Sequence, residues 1–372
     1  MMLLLLLVTA GLLYLLEQAL YRHLWCRNLT ASIRFQKEPV VEGGTGELYE
    51  VVTNQKLLPL LVLNVKFLFH RNLSFSQMEN TTVSDYCYRN DIFSLLWNQK
   101  ITRTLKIQCN KRGYYTITRM DLISTDLFMS TRLLMNTVQD TELYVYPGPV
   151  DESRLDVPFR KIMGTVTSRR FLYPDPFAFK GIRDYLPTDP LGSVNWKASA
   201  HTGNLMVNTY DSTSSQEVML FLDLADETIW QEEALHEESI RIAAALAVRF
   251  LNAGIPIRMV CNGRDVVTGE VLTLPAGTGR QQIAELNRCL ARIDLQKECV
   301  PIQPFLEETL FHTFTTVPLS IVISTCQNKL APVALRLSEI SDIYWILPMH
   351  PTTEQTVFSE KRLDIIPWIY EI

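Results

Sequence analysis

The pattern of apolar residues changes after residue 216, and this change constrains the fold of the 372-residue chain more than any other feature. Residues 217–224 contain a continuous apolar run, of the kind that is buried on both faces of a parallel sheet. A helical stripe follows, with Gly254 as its expected end, and consists of Leu235, Ser239, Ile242, Leu246 and Phe250. Strands that alternate with helices in this way predict a doubly wound α/β domain over residues 216–372.

The rest of this region repeats the alternation. A second strand is expected at residues 255–261, closed by a turn at Asn262 and Gly263. The later predicted elements are helices at 280–293 and 329–340 and strands at 320–325 and 342–347. The glycine-containing stretch 275–280 lacks the lysine and the spacing of a phosphate-binding loop, so we interpret it as the loop before a helix.

Before residue 150 the pattern is that of short strands. Four runs are rich in β-branched and aromatic residues, and several alternate between polar and apolar side chains: residues 47–53, 60–69, 101–107 and 114–118. A β-sandwich-like domain over residues 30–150 fits this pattern. Residues 151–170 are polar and weakly patterned, and we interpret them as a linker or extended arm.

The N-terminal residues predict a membrane anchor. Residues 1–16 are apolar or neutral, and after Glu17 and Gln18 the apolar character resumes, so an anchor over residues 1–25 is expected. Tyr21 and Trp25 are expected at the membrane surface, where amphipathic aromatic side chains concentrate. A cleaved signal peptide is the rival interpretation, but no charge precedes the apolar run and no small-residue cleavage site follows it.

The distribution of positive charge predicts the orientation of the anchor. The basic residues follow the apolar run, at Arg22, Arg27, Arg34 and Lys37. The positive-inside rule therefore predicts a single-pass protein of the cell membrane, with its N-terminus outside and its body in the cytoplasm. The seven cysteines are odd in number and scattered, which is typical of free thiols and agrees with a reducing compartment.

The densest motif lies between residues 175 and 207. Asp189 is a favoured N-cap residue and Pro190 a favoured first helical residue, so a short amphipathic helix is expected from there to about Gly203. Arg183, Asp184, Lys197 and His201 place opposite charges around this helix.

This segment resembles the signature of the domain-of-unknown-function-58 family. The positions that match the signature are Gly181, Arg183, Asp184, Tyr185, Asp189, Trp196, Lys197, Ala198, Ala200 and Leu205. The chain departs from the family pattern at Thr188, Gly192, Ser193 and His201, where glycine or arginine is usual, so an anion-binding role of those arginines does not carry over. The resemblance implies a von Willebrand factor A-like α/β domain, and as partners a MoxR-type AAA+ ATPase and a transglutaminase-like membrane protein.

Two interpretations of the segment are open. The residues Arg183, Asp184, Tyr185, Asp189, Trp196 and Lys197 could form a buried network of ion pairs and hydrogen bonds, because buried charges must be paired. The same set could instead be a binding site for a ligand or partner. A hydrolase that uses Arg183, Asp184, Asp189, Lys197 and His201 is the enzymatic alternative.

A magnesium site is the one cofactor to consider. Asp223 falls at the end of the first α/β strand, where ligands bind in such sheets. The related adhesion domains have Asp-x-Ser-x-Ser at this point, but both serines are missing here. Asp223, Asp226, Glu227 and Thr228 could still hold a cation, but acidic residues before a helix also compensate its N-terminal charge. Because both serines are missing, we expect no bound cofactor.

The remaining observations argue against enzymes and nucleic-acid binding. A net charge of −5 gives no basic field that would attract nucleic acid. The sequence contains no phosphate-loop, nucleophile-elbow or zinc-protease motif, and its six histidines show no ligand spacing. The sequence therefore favours a membrane-tethered interaction protein without a catalytic site, an α+β protein of several domains. An external adhesin is a further alternative that rests on the fold alone.

Overall fold

The structure is a computed structural model, and it forms two compact units, Met1–Gly148 and Pro149–Ile372. It describes residues 2–75, 81–83, 87–172, 179–187, 189–210, 217–227, 232–311, 319–339, 341–351 and 363–370. Thr188 and Thr228, which figure in the sequence interpretation, lie outside the described residues.

The first unit consists of one helix followed by strands. Its elements are α1 (Met2–Leu24), β1 (Leu29–Phe35), β2 (Val40–Val41), β3 (Thr45–Asn54), β4 (Leu60–Phe69), β5 (Leu73–Phe75), β6 (Thr81–Val83), β7 (Cys87–Leu95), β8 (Lys100–Cys109), β9 (Gly113–Thr125) and β10 (Arg132–Tyr146). The predicted strands at 47–53, 60–69, 101–107 and 114–118 fall within β3, β4, β8 and β9.

Two sheets enclose one hydrophobic core in this unit. The strand order is β1-β3-β8-β5 in one sheet and β2-β10-β9-β4-β7-β6 in the other. Along β3 every second residue is buried, which places Leu48 and Val52 in the core and their neighbours nearer solvent. This period of two is what a sheet with one packed face requires.

The helix α1 is long and apolar enough to cross a membrane. Apolar side chains are exposed on consecutive residues from Met2 to Val8, so the apolar surface runs around the whole helix. Tyr21 and Trp25, which are predicted at the membrane surface, are both buried in the core of the first unit. The Tyr21 hydroxyl donates a hydrogen bond to the carbonyl of Pro59 at 2.8 Å. The C-terminal half of α1 is therefore part of the sheet-rich unit.

A charged cluster is buried between strands of the first unit. Arg89 and Arg103 both pair with Asp91, which is fully buried. The Glu50 carboxyl is also fully buried beside them. Burial, and then the nearby Asp91 carboxylate, raise the pKa of Glu50 to about 8.

The second unit alternates helices and strands. Its elements are α2 (Glu152–Leu172), β11 (Phe179–Asp184), a 3-10 turn (Leu191–Ser193), α3 (Trp196–Thr202), β12 (Met206–Tyr210), β13 (Val218–Leu222), α4 (Glu233–Asn252), β14 (Ile257–Asp265), β15 (Val271–Gly277), α5 (Gly279–Ala291), β16 (Ile293–Asp294), α6 (Gln303–Phe311), β17 (Leu319–Ile323), α7 (Gln327–Ser338), β18 (Ile343–Met349) and β19 (Asp364–Ile369).

A seven-stranded sheet organises this unit, in the order β15-β14-β13-β17-β18-β19, with β16 paired to β14. The strands β14, β13, β17, β18 and β19 are parallel, and β15 is antiparallel to β14 at one edge. Alternate residues of β13 enter two different cores, one with α2, α4 and α5 and the other with α6 and α7. Helices therefore cover both faces, as the apolar run at 217–224 predicts.

The prediction of a linker or extended arm over residues 151–170 is wrong. The segment is the helix α2, and Leu155, Phe159, Ile162 and Val166 pack it against one face of the sheet. These residues have helical spacing, but the polar positions between them and Pro158 inside the helix obscure it. Arg249 of α4 also forms an ion pair with Asp156 of α2.

The predicted turn at Asn262 and Gly263 is wrong as well. Strand β14 continues through both residues to Asp265, and the reversal occurs between Asp265 and Glu270, whose backbone groups form a hydrogen bond of 2.9 Å. Asn262 is fully buried, and its side-chain bonds hold it in the strand. The predicted end of α4 is confirmed, since Gly254 follows it with a φ of 74°.

Candidate functional site

The carboxyl ends of the central strands meet around Asp223. This residue directly follows β13 and is 1% exposed. Its carboxylate accepts hydrogen bonds from Asn262 Nδ2 at 2.6 Å, Ser324 Oγ at 2.7 Å and the Ala225 N–H at 3.1 Å. Burial raises the pKa of Asp223, while these hydrogen bonds oppose the rise. The carboxylate therefore ties the ends of β13, β14 and β17 together.

A cavity of about 670 Å³ opens at this edge of the sheet. Its lining includes Asp223, Asp226, His236, Cys299, Cys326 and Lys329. Asp226 Oδ1 lies 2.8 Å from His236 Nε2, and the Lys329 ammonium donates to the carbonyl of Asp226 at 3.0 Å. The cavity is thus lined by polar groups that already contact one another.

The two cysteines of the cavity have the character of structural thiols. Burial, and then the negative charge of Asp223, raise the pKa of Cys326 to about 12 and that of Cys299 to about 11. Both thiols are protonated near neutral pH, and a thiol is a much weaker nucleophile than a thiolate. All seven cysteines of the chain are free, as predicted from their number and spacing.

The three candidate metal ligands that the structure describes, Asp223, Asp226 and Glu227, have separate partners. Asp223 bonds to strand ends, and Asp226 bonds to His236. Glu227 accepts a hydrogen bond from the Asn328 N–H at 2.7 Å, at the start of α7. Within the described ranges, the structure gathers no group of three or more histidine, cysteine or acidic residues that could hold a metal ion.

The segment that resembles the family signature forms a small two-stranded module. Here β11 pairs antiparallel with β12, and neither strand joins the seven-stranded sheet. Arg183 donates two parallel hydrogen bonds to Asp189, from Nη1 to Oδ2 at 2.6 Å and from Nη2 to Oδ1 at 2.7 Å. Asp189 Oδ2 also accepts from the Leu186 N–H at 2.9 Å. These bonds, with that of Arg183 first, lower the pKa of Asp189 to about 2.

The helix of this module begins later than predicted. Asp189 does not cap it. A 3-10 turn follows instead, and α3 starts after Asn195, whose Oδ1 accepts from the Ala198 N–H at 3.0 Å. The predicted end at Gly203 is confirmed, and this glycine has a φ of 78°. The side-chain bonds of Asp189 to Arg183 and Leu186 explain why it is not free to cap a helix.

A buried network of ion pairs, one of the two interpretations of this segment, is wrong. The structure brings together Arg183 and Asp189, but the Arg183 side chain is 44% exposed. Asp184, Lys197 and His201 are exposed, and Asp184 and Lys197 form no side-chain hydrogen bond or ion pair with another described residue. Tyr185 is half-buried and holds the module through its backbone, donating from its N–H to the Leu205 carbonyl at 2.9 Å.

Apolar side chains are exposed in the same module. Trp196 is 67% exposed, and Leu186 and Leu191, which precede it in the same module, are also exposed. The sequence indicated a role for Trp196 only through the family signature, because an exposed tryptophan cannot be told from a buried one by sequence. The module therefore presents an apolar and charged surface to solvent.

Comparison with known proteins supports the sequence resemblance over part of the chain. The model of the family described as protein of unknown function DUF58 matches residues 181–324, which include both the module and the Asp223 edge. Uncharacterized proteins of Mycobacterium tuberculosis and Mycobacterium bovis are each 26% identical over 155 residues. These alignments cover 39% of this chain and only 48% of each mycobacterial protein, so the chain matches about half the length of these relatives.

Similarity to solved structures is low. Domains D2 and D3 of the major pilin SpaD of Corynebacterium diphtheriae share 8% identity at a TM-score of 0.22, over 29% of this chain and 50% of theirs. The major pilin subunit BcpA of Bacillus cereus shares 6% identity at a TM-score of 0.25, over 32% of this chain and 41% of its own. At such TM-scores the comparisons indicate neither a shared function nor a shared overall fold.

Proposed function

We propose that this chain is a membrane-tethered interaction protein without a catalytic site, and that the β11–β12 module (residues 179–210) is its docking surface. The observation that carries the proposal is the exposure of Trp196, Asp184 and Lys197 on a module whose local shape is fixed by the Arg183–Asp189 pair. Exposed apolar residues beside exposed charges are typical of surfaces that bind other proteins.

The second unit supports the assignment of a von Willebrand factor A-like domain. If the short strand β16 is left out and the other six strands from β13 to β19 are numbered in chain order, the sheet has the order 3-2-1-4-5-6, with the third strand antiparallel at one edge. Ligands of such doubly wound sheets bind at the carboxyl ends of the strands, where Asp223 lies. In this chain the Asp223 carboxylate is occupied by Asn262, Ser324 and Ala225, which supports a domain that does not depend on a bound metal.

The hydrolase alternative has less support from the geometry. Arg183 and Asp189 neutralise each other, and the pKa of Asp189, lowered to about 2, leaves it a poor proton acceptor near neutral pH. The cavity at the other candidate site holds two thiols whose pKa values are raised to about 11 and 12. A protein that binds partners requires neither an activated nucleophile nor a tuned base.

The membrane tether of this proposal is α1. Its 23 residues correspond to about 34 Å of helix, enough to cross a hydrocarbon core of about 30 Å. The positive-inside rule orients the body toward the cytoplasm, because Arg22 and Arg27 follow the apolar run. The partners that the family resemblance implies are a MoxR-type AAA+ ATPase and a transglutaminase-like membrane protein.

The proposal is tested by crosslinking and affinity purification of the tagged full chain from native membranes. We expect a MoxR-type AAA+ ATPase to be recovered with the wild type and much less with Trp196→Ala. Val267→Ser is the matched control, since Val267 is 56% exposed and lies in the turn between β14 and β15. Equal recovery with Trp196→Ala and with the wild type would show that the module is not the docking surface. If no such ATPase is recovered with the wild type, the proposed partner is wrong.

A further inference from the structure

The loop between β9 and β10 carries three exposed apolar residues next to α1. We call residues 126–131 the hairpin tip, and within it Leu127, Phe128 and Met129 are all exposed. Phe128 is 65% exposed, and its ring contacts that of Tyr14 in α1, with the centroids 5.6 Å apart. Three consecutive exposed apolar residues at a loop tip are unfavourable in water.

The hairpin tip is held rigidly around a buried carboxylate. Asp126 is 2% exposed and accepts hydrogen bonds from the N–H groups of Ser130 at 2.6 Å and Thr131 at 3.1 Å. Its carbonyl accepts from the Met129 N–H at 3.0 Å. This turn gives Met129 a φ of 55°, in the left-handed region that favours glycine or asparagine. An apolar residue thus occupies a strained and exposed position where a small polar residue would be less costly in water.

The hairpin tip also supplies partners to the polar side chains of α1. Three such contacts join the helix to the tip: Tyr14 Oη donates to Ser130 Oγ at 3.0 Å, Glu17 Oε1 accepts from the Leu127 N–H at 2.9 Å, and Gln18 Nε2 donates to Thr131 Oγ1 at 2.9 Å. In a bilayer, polar groups without partners are costly because no water is present to bond them.

The length of α1 determines how deep these contacts lie. The part of the helix before Tyr14 spans only about 18 Å at 1.5 Å per residue, short of a hydrocarbon core of about 30 Å. A crossing of about 20 residues that begins at Met2 ends near Tyr21. Tyr14, Glu17 and Gln18 then lie inside the membrane, and the hairpin tip bonded to them lies there too.

We propose that the hairpin tip inserts Leu127, Phe128 and Met129 into the lipid bilayer beside α1. The tip bonds the side chains of Tyr14 and Gln18 and one carboxylate oxygen of Glu17, and it turns apolar side chains toward the acyl chains. Arg132, exposed directly after the tip, and Arg22 of α1 lie where anionic headgroups are found. The inference rests on the proposed membrane anchor. Insertion of the hairpin tip would hold the first unit against the bilayer surface.

The test places the photocrosslinking residue p-benzoylphenylalanine at one of three positions of the full chain, reconstituted in vesicles of phosphatidylcholine and phosphatidylglycerol. Val8 in α1 reports the anchor, Phe128 reports the tip, and Val138 is the control. Val138 is 90% exposed and lies on the same hairpin, farther along β10. After irradiation, mass spectrometry measures the yield of lipid adducts at each position.

Lipid adducts at positions 8 and 128, several-fold above the yield at 138, are the expected result. Adducts at 8 with none above control at 128 would overturn the inference and leave the anchor intact. No adducts at 8 would overturn the anchor itself, and with it the depth assigned to the tip. Thermal unfolding of each protein in detergent checks folding, and Met129 serves as a second crosslinking position in case the change at 128 prevents folding.

Discussion

Two regions of the second unit contain clustered polar residues, which are buried and hydrogen-bonded in one region and largely exposed in the other. At the Asp223 edge, the carboxylate is 1% exposed, and it accepts hydrogen bonds from Asn262 of β14, from Ser324 after β17 and from Ala225 in its own loop. In the β11–β12 module, Asp189 fixes a loop while Asp184 and Lys197 remain exposed. Both regions contain acidic residues near a helix start, so residue type alone does not separate them. The difference is whether the groups are buried, because a buried charge must be paired and an exposed one need not be.

Removing the Asp223 carboxylate is the substitution with the largest expected loss of stability. Asp223→Ala leaves Asn262 and Ser324 without their partner in a buried site, so the free energy of unfolding is expected to fall by about 3 kcal/mol. Chemical unfolding of the full chain in detergent measures it, following the transition of the second unit. A loss of less than about 1 kcal/mol would mean that the strand ends do not depend on this residue.

Glu50, a buried acidic residue of the first unit, extends the comparison to the pH dependence of stability. The pKa of Glu50 is raised from its ordinary value of 4.5 to about 8, so the folded protein binds this proton more tightly than the unfolded chain. Stability is therefore expected to fall as pH rises from about 4.5 to about 8, by up to about 1.4 kcal/mol per pH unit. Unfolding measured across this range should lose that slope in Glu50→Gln. A slope that persists unchanged in the variant would assign it to other groups.

The strained residue of the hairpin tip gives a smaller effect of opposite sign. Met129 has a φ of 55°, so Met129→Gly relieves strain and is expected to raise the free energy of unfolding in detergent by about 1 kcal/mol. Thermal unfolding compares the variant with Phe128→Gly, which lacks a positive φ and has no strain to relieve. Destabilisation by Met129→Gly would show that the methionine packs favourably where it is.

The exposed ion pair of the module has the smallest expected effect on stability. Arg183→Gln breaks a pair whose arginine side chain is 44% exposed, so the free energy of unfolding should change little, and less at high salt, because ion pairs near the surface contribute weakly. The same variant is expected to lose partner recovery, since the loop before Asp189 is no longer fixed. A large loss of stability would place this pair in the same class as Asp223.

The sequence predicted the elements whose apolar spacing is unambiguous. The run at 217–224 and the stripe from Leu235 to Phe250 correspond to β13 and α4. The helix α2 was missed because polar residues and Pro158 obscure its stripe, and β14 continues past Asn262 because the side chain of that residue is bonded to Asp223. Turn propensity is a local property, and here a contact between distant residues overrides it.

The candidate site was predictable in its residues but not in its geometry. The pairing of Arg183 with Asp189 depends on the path of the loop between them, and the exposure of Trp196 depends on α3 lying outside the large sheet. Likewise, Asp223, Asp226 and Glu227 are close in sequence but have separate partners. Spacing along the chain does not decide which way such side chains turn.

The central claim is that the β11–β12 module is a docking surface for a partner protein. The double variant Asp184→Ala, Lys197→Ala tests it most directly. Both its thermal unfolding and its recovery of the MoxR-type AAA+ ATPase from crosslinked membranes are compared with the wild type. The account predicts unchanged unfolding and strongly reduced recovery. Lowered stability with undiminished recovery would contradict it, and would make the module part of the internal architecture of the chain.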